Sequence, residues 1–387
     1  MPKALSYLPI LSLLLGIVGC AAPAANPVLI KSSATSDASG ASTVVKPTNL
    51  PSTASVSTPV SRPVSKPVPN TGYLSRTDVQ SYAQTVAQSR NLSTQDVRAL
   101  LAQAQRLPVA IRLMAPPDPS KPRPPKNWTS YRNNFVEPIR INAGKAFMAE
   151  HAQALARAEQ RYGVPANITA AIIGVETLYG QYMGNYRVLD ALVTLSFDYP
   201  DPDRADRIDM FQGQLADFIE LHYQGKVDAN RQLGSFAGAM GIPQFMPTSL
   251  KLWAVSSDPG QIDIDLETNV DDAILSVGNF LQQHGWIGGL PVFAPVDLPA
   301  NAGTLVDGGL TPTVDWVTLK SAGATLEPGA SLGIWSNYPL GVIDLPLPAL
   351  NTVQYRTATP NFFALTQYNR SYFYATAVSD LAQALVQ

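Results

Sequence analysis

Apolar residues recur at helical spacing through most of the stretch from residue 73 to 290, so the pattern predicts a chiefly helical body. Ser75-Arg-Thr-Asp78 and Ser93-Thr-Gln-Asp96 each set a hydroxyl three residues before an acid, the arrangement of a helix N-cap, and open "VQSYAQTVAQSR" and "VRALLAQAQR". The proline-rich "APPDPSKPRPPK" (115–126) breaks the chain. A long amphipathic helix is predicted over 143–162, stopping at Gly163. In "VPANITAAIIGVETLYG", Asn167 reads as the N-cap, and Ile168, Ile172, Val175 and Tyr179 share one narrow face that ends near Gly180. "MFQGQLADFIELHYQ" and "VDDAILSVGNFLQQHGW" continue the helical pattern.

From about 290 to 349 the pattern turns to short β-prone pieces ("PVFAPVDL", "TVDWVTL", "LGIWS", "GVIDLPL") punctuated by Gly, Pro, Ala and Asn. Helix-prone "SYFYATAVSDLAQALVQ" closes the chain and is expected to pack back on the helical body, which would make the β unit an insertion. The expected fold class is α+β, mainly α. Its parts are an N-terminal helical region at 73–126, a core at 127–290, a small β-rich domain at 291–349 and a C-terminal return at 350–387.

The first residues, "MPKALSYLPILSLLLGIVGC", join Lys3 to an apolar run too short to span a bilayer permanently, followed by small residues and the single cysteine. Residues 1–19 read as a secretory signal, and "IVGC" resembles the bacterial lipobox, in which Cys20 takes a lipid. Ala21 follows rather than the Asp that often marks inner-membrane retention, so the expected location is the periplasmic face of the outer membrane, by acyl chains. Residues 20–72 are rich in Ser, Thr, Pro, Ala and Val, with units such as "PVSRPVSKPVP", and read as a flexible tether that gives an anchored domain reach.

A formal net charge of −2 provides no basic surplus to neutralise phosphates, which argues against nucleic acid as a partner. His151, His222 and His284 are scattered and form no zinc spacing. Glu176 is the unusual residue. A carboxylate on the edge of an apolar helix face, in its last turn, is disfavoured by dehydration and by the negative end of the helix dipole. A cap or an ion pair would account for it equally well on this segment alone. The second unusual stretch, "GSFAGAMGIPQFMP" (234–247), has small residues dense enough to let backbones approach closely, then presents Gln244 and Phe245, an amide and a ring suited to a saccharide. Tight helix contact would explain the small residues but not the glutamine.

These stretches together resemble the B-type lytic murein transglycosylases, outer-membrane lipoproteins with a lysozyme-like catalytic core. "VPANITAAIIGVETLYGQYMGNYRVLDALVTLSFDYP" is similar to the family's catalytic segment and "GSFAGAMGIPQFMPTS" to its second signature, and the likeness runs from about Trp128 to the C-terminus. The resemblance implies that Glu176 is the catalytic acid and base, that Tyr131 of "WTSYR" lies near it, and that Ser235 hydrogen-bonds it. It implies that Gln244 and Phe245 contact glycan and that Tyr368, Asn369 and Tyr374 of "TQYNRSYFY" line the glycan groove. Arg204 and Arg207, in an apparent insertion "DPDRADR", are approximate counterparts of basic residues in the family.

The implied reaction cleaves the bond between N-acetylmuramic acid and N-acetylglucosamine in peptidoglycan and leaves a 1,6-anhydromuramoyl end, with one carboxyl group serving as acid and then base. A hydrolytic muramidase is the neighbouring reading; Asp190 and Asp198 are near in the chain but read as packing or capping residues. A non-catalytic peptidoglycan-binding scaffold is the reading from another class, and Glu176, Ser235 and Gln244 together argue against it. Glycan strands and the outer membrane are the implied partners, with contact to cell-wall synthases left open. No cofactor is required. Some members of the family carry an EF-hand-like calcium loop after the second signature, where this chain has "AVSSDPGQIDIDLETNVDDAI"; Asp258, Asp263, Asp265 and Glu267 are the only candidate ligands, in a degraded pattern with no calcium expected.

Overall fold

The computed structural model describes residues 72–387 apart from 259, 261 and 262, so the leader, Cys20 and most of the tether lie outside the described residues. The chain starts in a short 3-10 turn, Gly72–Ser75, followed by α1 (Thr77–Ser89), α2 (Thr94–Leu101) and α3 (Pro108–Met114). Ser93 caps α2 as its spacing predicts, accepting the Asp96 amide at 3.3 Å. Ser75 does not cap α1: its hydroxyl donates to Gly72 O at 2.7 Å, and Arg76 takes the cap position. The Arg76 side chain is committed to ion pairs with Asp78 and Asp198, both at 2.6 Å.

Next come α4 (Trp128–Arg132), α5 (Pro138–Glu150), α6 (Ala152–Tyr162) and α7 (Ala166–Thr177). The single helix predicted over 143–162 is two helices. Glu137 caps the first through the amides of Ile139 and Arg140, and the chain breaks at His151 (φ −105°, ψ 25°) before ending, as predicted, at Gly163 with φ 71°. A break this small leaves the apolar period intact and so invisible in the sequence. In α7, Pro165 holds the cap position and Asn167 instead donates to Ala382 O at 3.0 Å, tying this helix to the end of the chain.

Then follow β1 (Tyr186–Arg187), α8 (Val188–Phe197), α9 (Ala205–Tyr223), β2 (Leu233–Gly234), α10 (Pro247–Trp253) and α11 (Val270–Gln283). The β unit contributes β3 (Phe293–Ala294), β4 (Val296–Asp297), α12 (Trp316–Ser321), β5 (Thr325–Leu326), β6 (Gly341–Leu347) and β7 (Thr352–Ala358), and α13 (Pro360–Tyr368) and α14 (Tyr372–Leu385) close the chain.

Packing groups these elements differently from the boundaries drawn on the sequence. Leu74, Val79, Leu100 and Leu101 share a core with Leu192, Phe211 and Phe218, so the N-terminal helices and α8–α9 form one packed body. The antiparallel sheet β3-β7-β6 needs β7, which lies beyond residue 349 and pairs with β6 from Gly341↔Ala358 to Leu347↔Thr352. Alternation along β6 sends Val342 into the β unit's own core and Ile343 and Leu345 into the helical core. The sheet is thereby seated on the helical body.

That body is built around α7. Every residue from Ile168 to Thr177 is buried, and a helix apolar on all sides must be enclosed by others. Residues of α5, α6, α11, α13 and α14 enclose it, among them Phe147, Leu155, Val277, Leu281, Phe362, Tyr374 and Leu381. The fold is mainly helical with small antiparallel sheets, as expected.

Candidate active site

Glu176 is the next-to-last residue of α7, and the chain leaves this helix through three successive left-handed residues: Leu178 (φ 49°), Tyr179 (58°) and Gly180 (86°). Two of these carry side chains, so the turn holds strain of roughly 1–3 kcal/mol per residue that the surroundings must offset. Arg140, 3% exposed, donates from Nε to Gly174 O at 2.9 Å and from a terminal nitrogen to Asn134 O at 2.6 Å. Thr177 accepts the Gly180 amide at 2.9 Å and donates to Ile242 O at 2.9 Å, joining the helix end to the second signature. Tyr179 packs on Phe147 with centroids 5.1 Å apart, in space kept open by Gly174, where an added Cβ would lie 2.5 Å from the tyrosine oxygen.

The Glu176 carboxyl is buried, and its Oε1 accepts from the Tyr374 hydroxyl at 2.6 Å. Burial, which penalises the ionised form, raises its pKa from 4.5 to about 8, and the Tyr374 donor pulls in the opposite direction. Tyr374 and Tyr368 are themselves pushed well above the ordinary phenol value, first by burial and then by Glu176. Both therefore stay protonated and able to donate. Among the described residues no second carboxylate acts on Glu176. Asp190 is taken by Arg187 and the Gln105 amide, and Asp198 by Arg76, Arg106 and Tyr73, the structural roles their contexts suggest.

Around the acid, the structure assembles some predicted residues and relocates others. Tyr131 is half-buried on α4, stacked on Trp128 and edge-on to Phe373, and its hydroxyl is raised by burial first and then by the Glu176 charge. Tyr374 is fully buried behind Glu176 and does not line a groove; its position in α14 puts the hydroxyl on the carboxyl. Tyr368 stacks on Tyr374 (6.3 Å, 14°) and donates to Pro243 O at 2.6 Å, while half-buried Asn369 follows at the end of α13. Ser235 does not bond Glu176: its oxygen accepts the amides of Ala237 and Ala239 at 3.3 and 3.0 Å, because it closes its own tight turn. Phe245 is 1% exposed, packed with Phe280 and Tyr368, and cannot stack on a sugar. Gln244, at φ 51°, spends its amide nitrogen on Met183 O and Gly241 O and keeps its carbonyl oxygen free of protein donors among the described residues. Arg204 pairs with Asp206 at 2.8 Å, and Arg207 is buried beside Met210, so neither is joined to the acid.

Sequence reasoning missed Arg140 and Thr177. Thr177 sits beside the acid and could have been noticed as a hydroxyl in an apolar run; "EPIRIN" offers no such signal. The calcium candidates do not converge. Asp258 accepts the Gly260 amide, Asp263 is exposed near Lys226, Asp265 caps the Glu267 and Thr268 amides, and Glu267 accepts from Gln232. Among the described residues no three acidic, His or Cys side chains meet as a metal site.

The transglycosylase SLT domain family matches residues 75–383. The chain is 37% identical over 319 residues to membrane-bound lytic murein transglycosylase B of Escherichia coli (strain K12), covering 81% of this chain and 84% of that protein. The crystal structure of soluble lytic transglycosylase SltB1 from Pseudomonas aeruginosa is 34% identical with a TM-score of 0.69, covering 80% of this chain and 98% of its own. Pseudomonas aeruginosa SltB3 in complex with NAG-NAM-pentapeptide is 29% identical with a TM-score of 0.65, covering 80% and 79%.

The raised carboxyl makes a stability prediction. With a native pKa of about 8 against 4.5 for the free side chain, the folded state holds a proton that the unfolded state releases between those values, so stability is full below 4.5 and falls as pH rises towards 8. Glu176→Gln removes this dependence. In denaturant titrations the variant should be more stable than wild type at pH 8.5, by on the order of a few kcal/mol, with the gap closing towards pH 4.5. A gap that does not vary with pH would contradict a buried neutral acid.

Proposed function

The chain belongs to the transglycosylase SLT family, and on that premise we propose how its buried acid performs the reaction. The enzyme is a lytic murein transglycosylase: it cleaves the β-1,4 bond between N-acetylmuramic acid and N-acetylglucosamine and leaves a 1,6-anhydromuramoyl end. The observation that carries the assignment of Glu176 is a lone carboxyl, buried, held by one tyrosine and with its pKa raised by burial.

Tyr374 occupies Oε1, which leaves Oε2 as the proton carrier. Glu176 gives its proton to the glycosidic oxygen as the C1–O bond breaks, and N-acetylglucosamine leaves as an alcohol. The muramoyl N-acetyl oxygen attacks C1 from the far side and takes the place of an enzyme nucleophile. The Glu176 carboxylate then accepts the proton of the muramoyl C6 hydroxyl while O6 closes on C1 and displaces the acetamido oxygen. The acid is restored and no water is consumed. A retaining hydrolase would instead place a second carboxylate roughly 5–5.5 Å from the first. Tyr374 is a positioning residue. Tyr131 forms part of the wall, and the free carbonyl oxygen of Gln244 is suited to an N-acetyl N–H. No step runs through a metal.

We propose further that Cys20 carries the lipid that holds the enzyme at the periplasmic face of the outer membrane. The lipobox-like "IVGC" supports this, and no helix among the described residues is long and apolar enough to cross a membrane. Cys20→Ser should move the protein from the membrane fraction to the soluble one; unchanged membrane association would refute the anchor.

Mass spectrometry of peptidoglycan digested by a soluble form beginning near Gly72 should give anhydromuramoyl ends, and Glu176→Gln should lower their yield by at least about two orders of magnitude. Reducing ends would indicate hydrolysis, and an active Glu176→Gln would remove the acid from this role.

A further inference from the structure

Between the helical body and the β unit lies a cavity of about 750 Å³ whose walls do not include Glu176. It carries a charge arrangement that the cleavage scheme does not use. Asp380 of α14, 8% exposed, is held by two arginines: Arg132 donates from Nε at 2.7 Å, and Arg356 from its terminal nitrogens at 2.6 and 3.4 Å. One carboxylate against two guanidinium groups leaves one positive charge over, on planar donors that suit a second carboxylate. On the same wall Thr357, 1% exposed, has a buried hydroxyl with no partner among the described residues. Asp297 of β4 and Glu327, just past β5, also line the cavity; both are exposed and in no ion pair among the described residues.

A neutral sugar would leave these charges unused. Of the aromatic rings in the cavity wall, Trp128 is 2% exposed and Phe293 has the Arg356 guanidinium 5.1 Å from its centroid, which leaves half-buried Tyr355. The cavity and the surroundings of the acid share two helices, α4 and α14. Arg132 follows Tyr131 on α4, and Asp380 lies six residues beyond Tyr374 on α14, as numbered.

We propose that this cavity binds the peptide stem of the glycan substrate through a zwitterionic amino-acid head, its carboxylate on Arg132 and Arg356 and its ammonium on Asp297 and Glu327. The inference rests on reading the chain as a peptidoglycan enzyme and gives the β unit a part in substrate selection.

The test is calorimetric titration of the Glu176→Gln chain with two stem tetrapeptides, one carrying meso-diaminopimelate at its third residue and one carrying lysine there, which keeps the ammonium and lacks the carboxylate. The diaminopimelate peptide should bind at least about tenfold tighter. Adding Arg132→Gln should abolish that preference, and adding Glu327→Gln should weaken both peptides. Equal affinities, a preference that survives Arg132→Gln, affinities untouched by Glu327→Gln, or no saturable binding would each overturn the proposal. Glu327 is exposed, so its variant keeps the test decisive if Arg132→Gln disturbs Asp380. The titration reads binding without turnover, whereas failure of the cleavage scheme would show in the digestion products.

Discussion

The structure depends on keeping one carboxyl group away from water. Dehydrating an ionised carboxylate costs several kcal/mol, whereas a neutral acid with one donor is tolerated, so an apolar enclosure selects the protonated form. Placing Glu176 at the end of the most deeply buried helix achieves this. The helix must then be apolar on every side, which requires other helices all round it and explains why the chain's last helix returns to the core.

Three separated segments meet at that helix end, each for an identifiable physical reason. Arg140 satisfies a carbonyl of the last turn, and its own burial lowers its pKa, a cost offset by those backbone acceptors and by Glu137. Thr177 links the turn to Ile242, and Tyr368 holds Pro243 from the opposite side, so the second signature is fixed at two successive carbonyls. Tyr374 then reaches the acid itself. Within the signature, Gly234 lets the turn close on itself: an added Cβ there would lie 2.2 Å from Ala239 O.

Much of this was legible in the sequence because it is local. The period of α7, the position of Glu176 in its last turn and the cap at Ser93 follow from spacing. Roles set by tertiary packing were not legible. The resemblance implied that Phe245 contacts glycan and that Tyr374 lines the groove, but core volume claimed the first and the carboxyl the second. Ser235 was taken by its own turn amides, and Arg140 has no local mark because its partners are distant carbonyls. The β7 boundary slipped because strand pairing, and not composition, decides where a sheet ends.

The central claim is that Glu176 is protonated at neutral pH within an apolar enclosure. Infrared difference spectra of wild type minus Glu176→Gln, followed from pH 5 to 9.5, address it most directly. The account predicts a carboxylic-acid carbonyl band that persists through pH 7 and is lost around pH 8, the value set by burial. A carboxylate already ionised at pH 6 would contradict it.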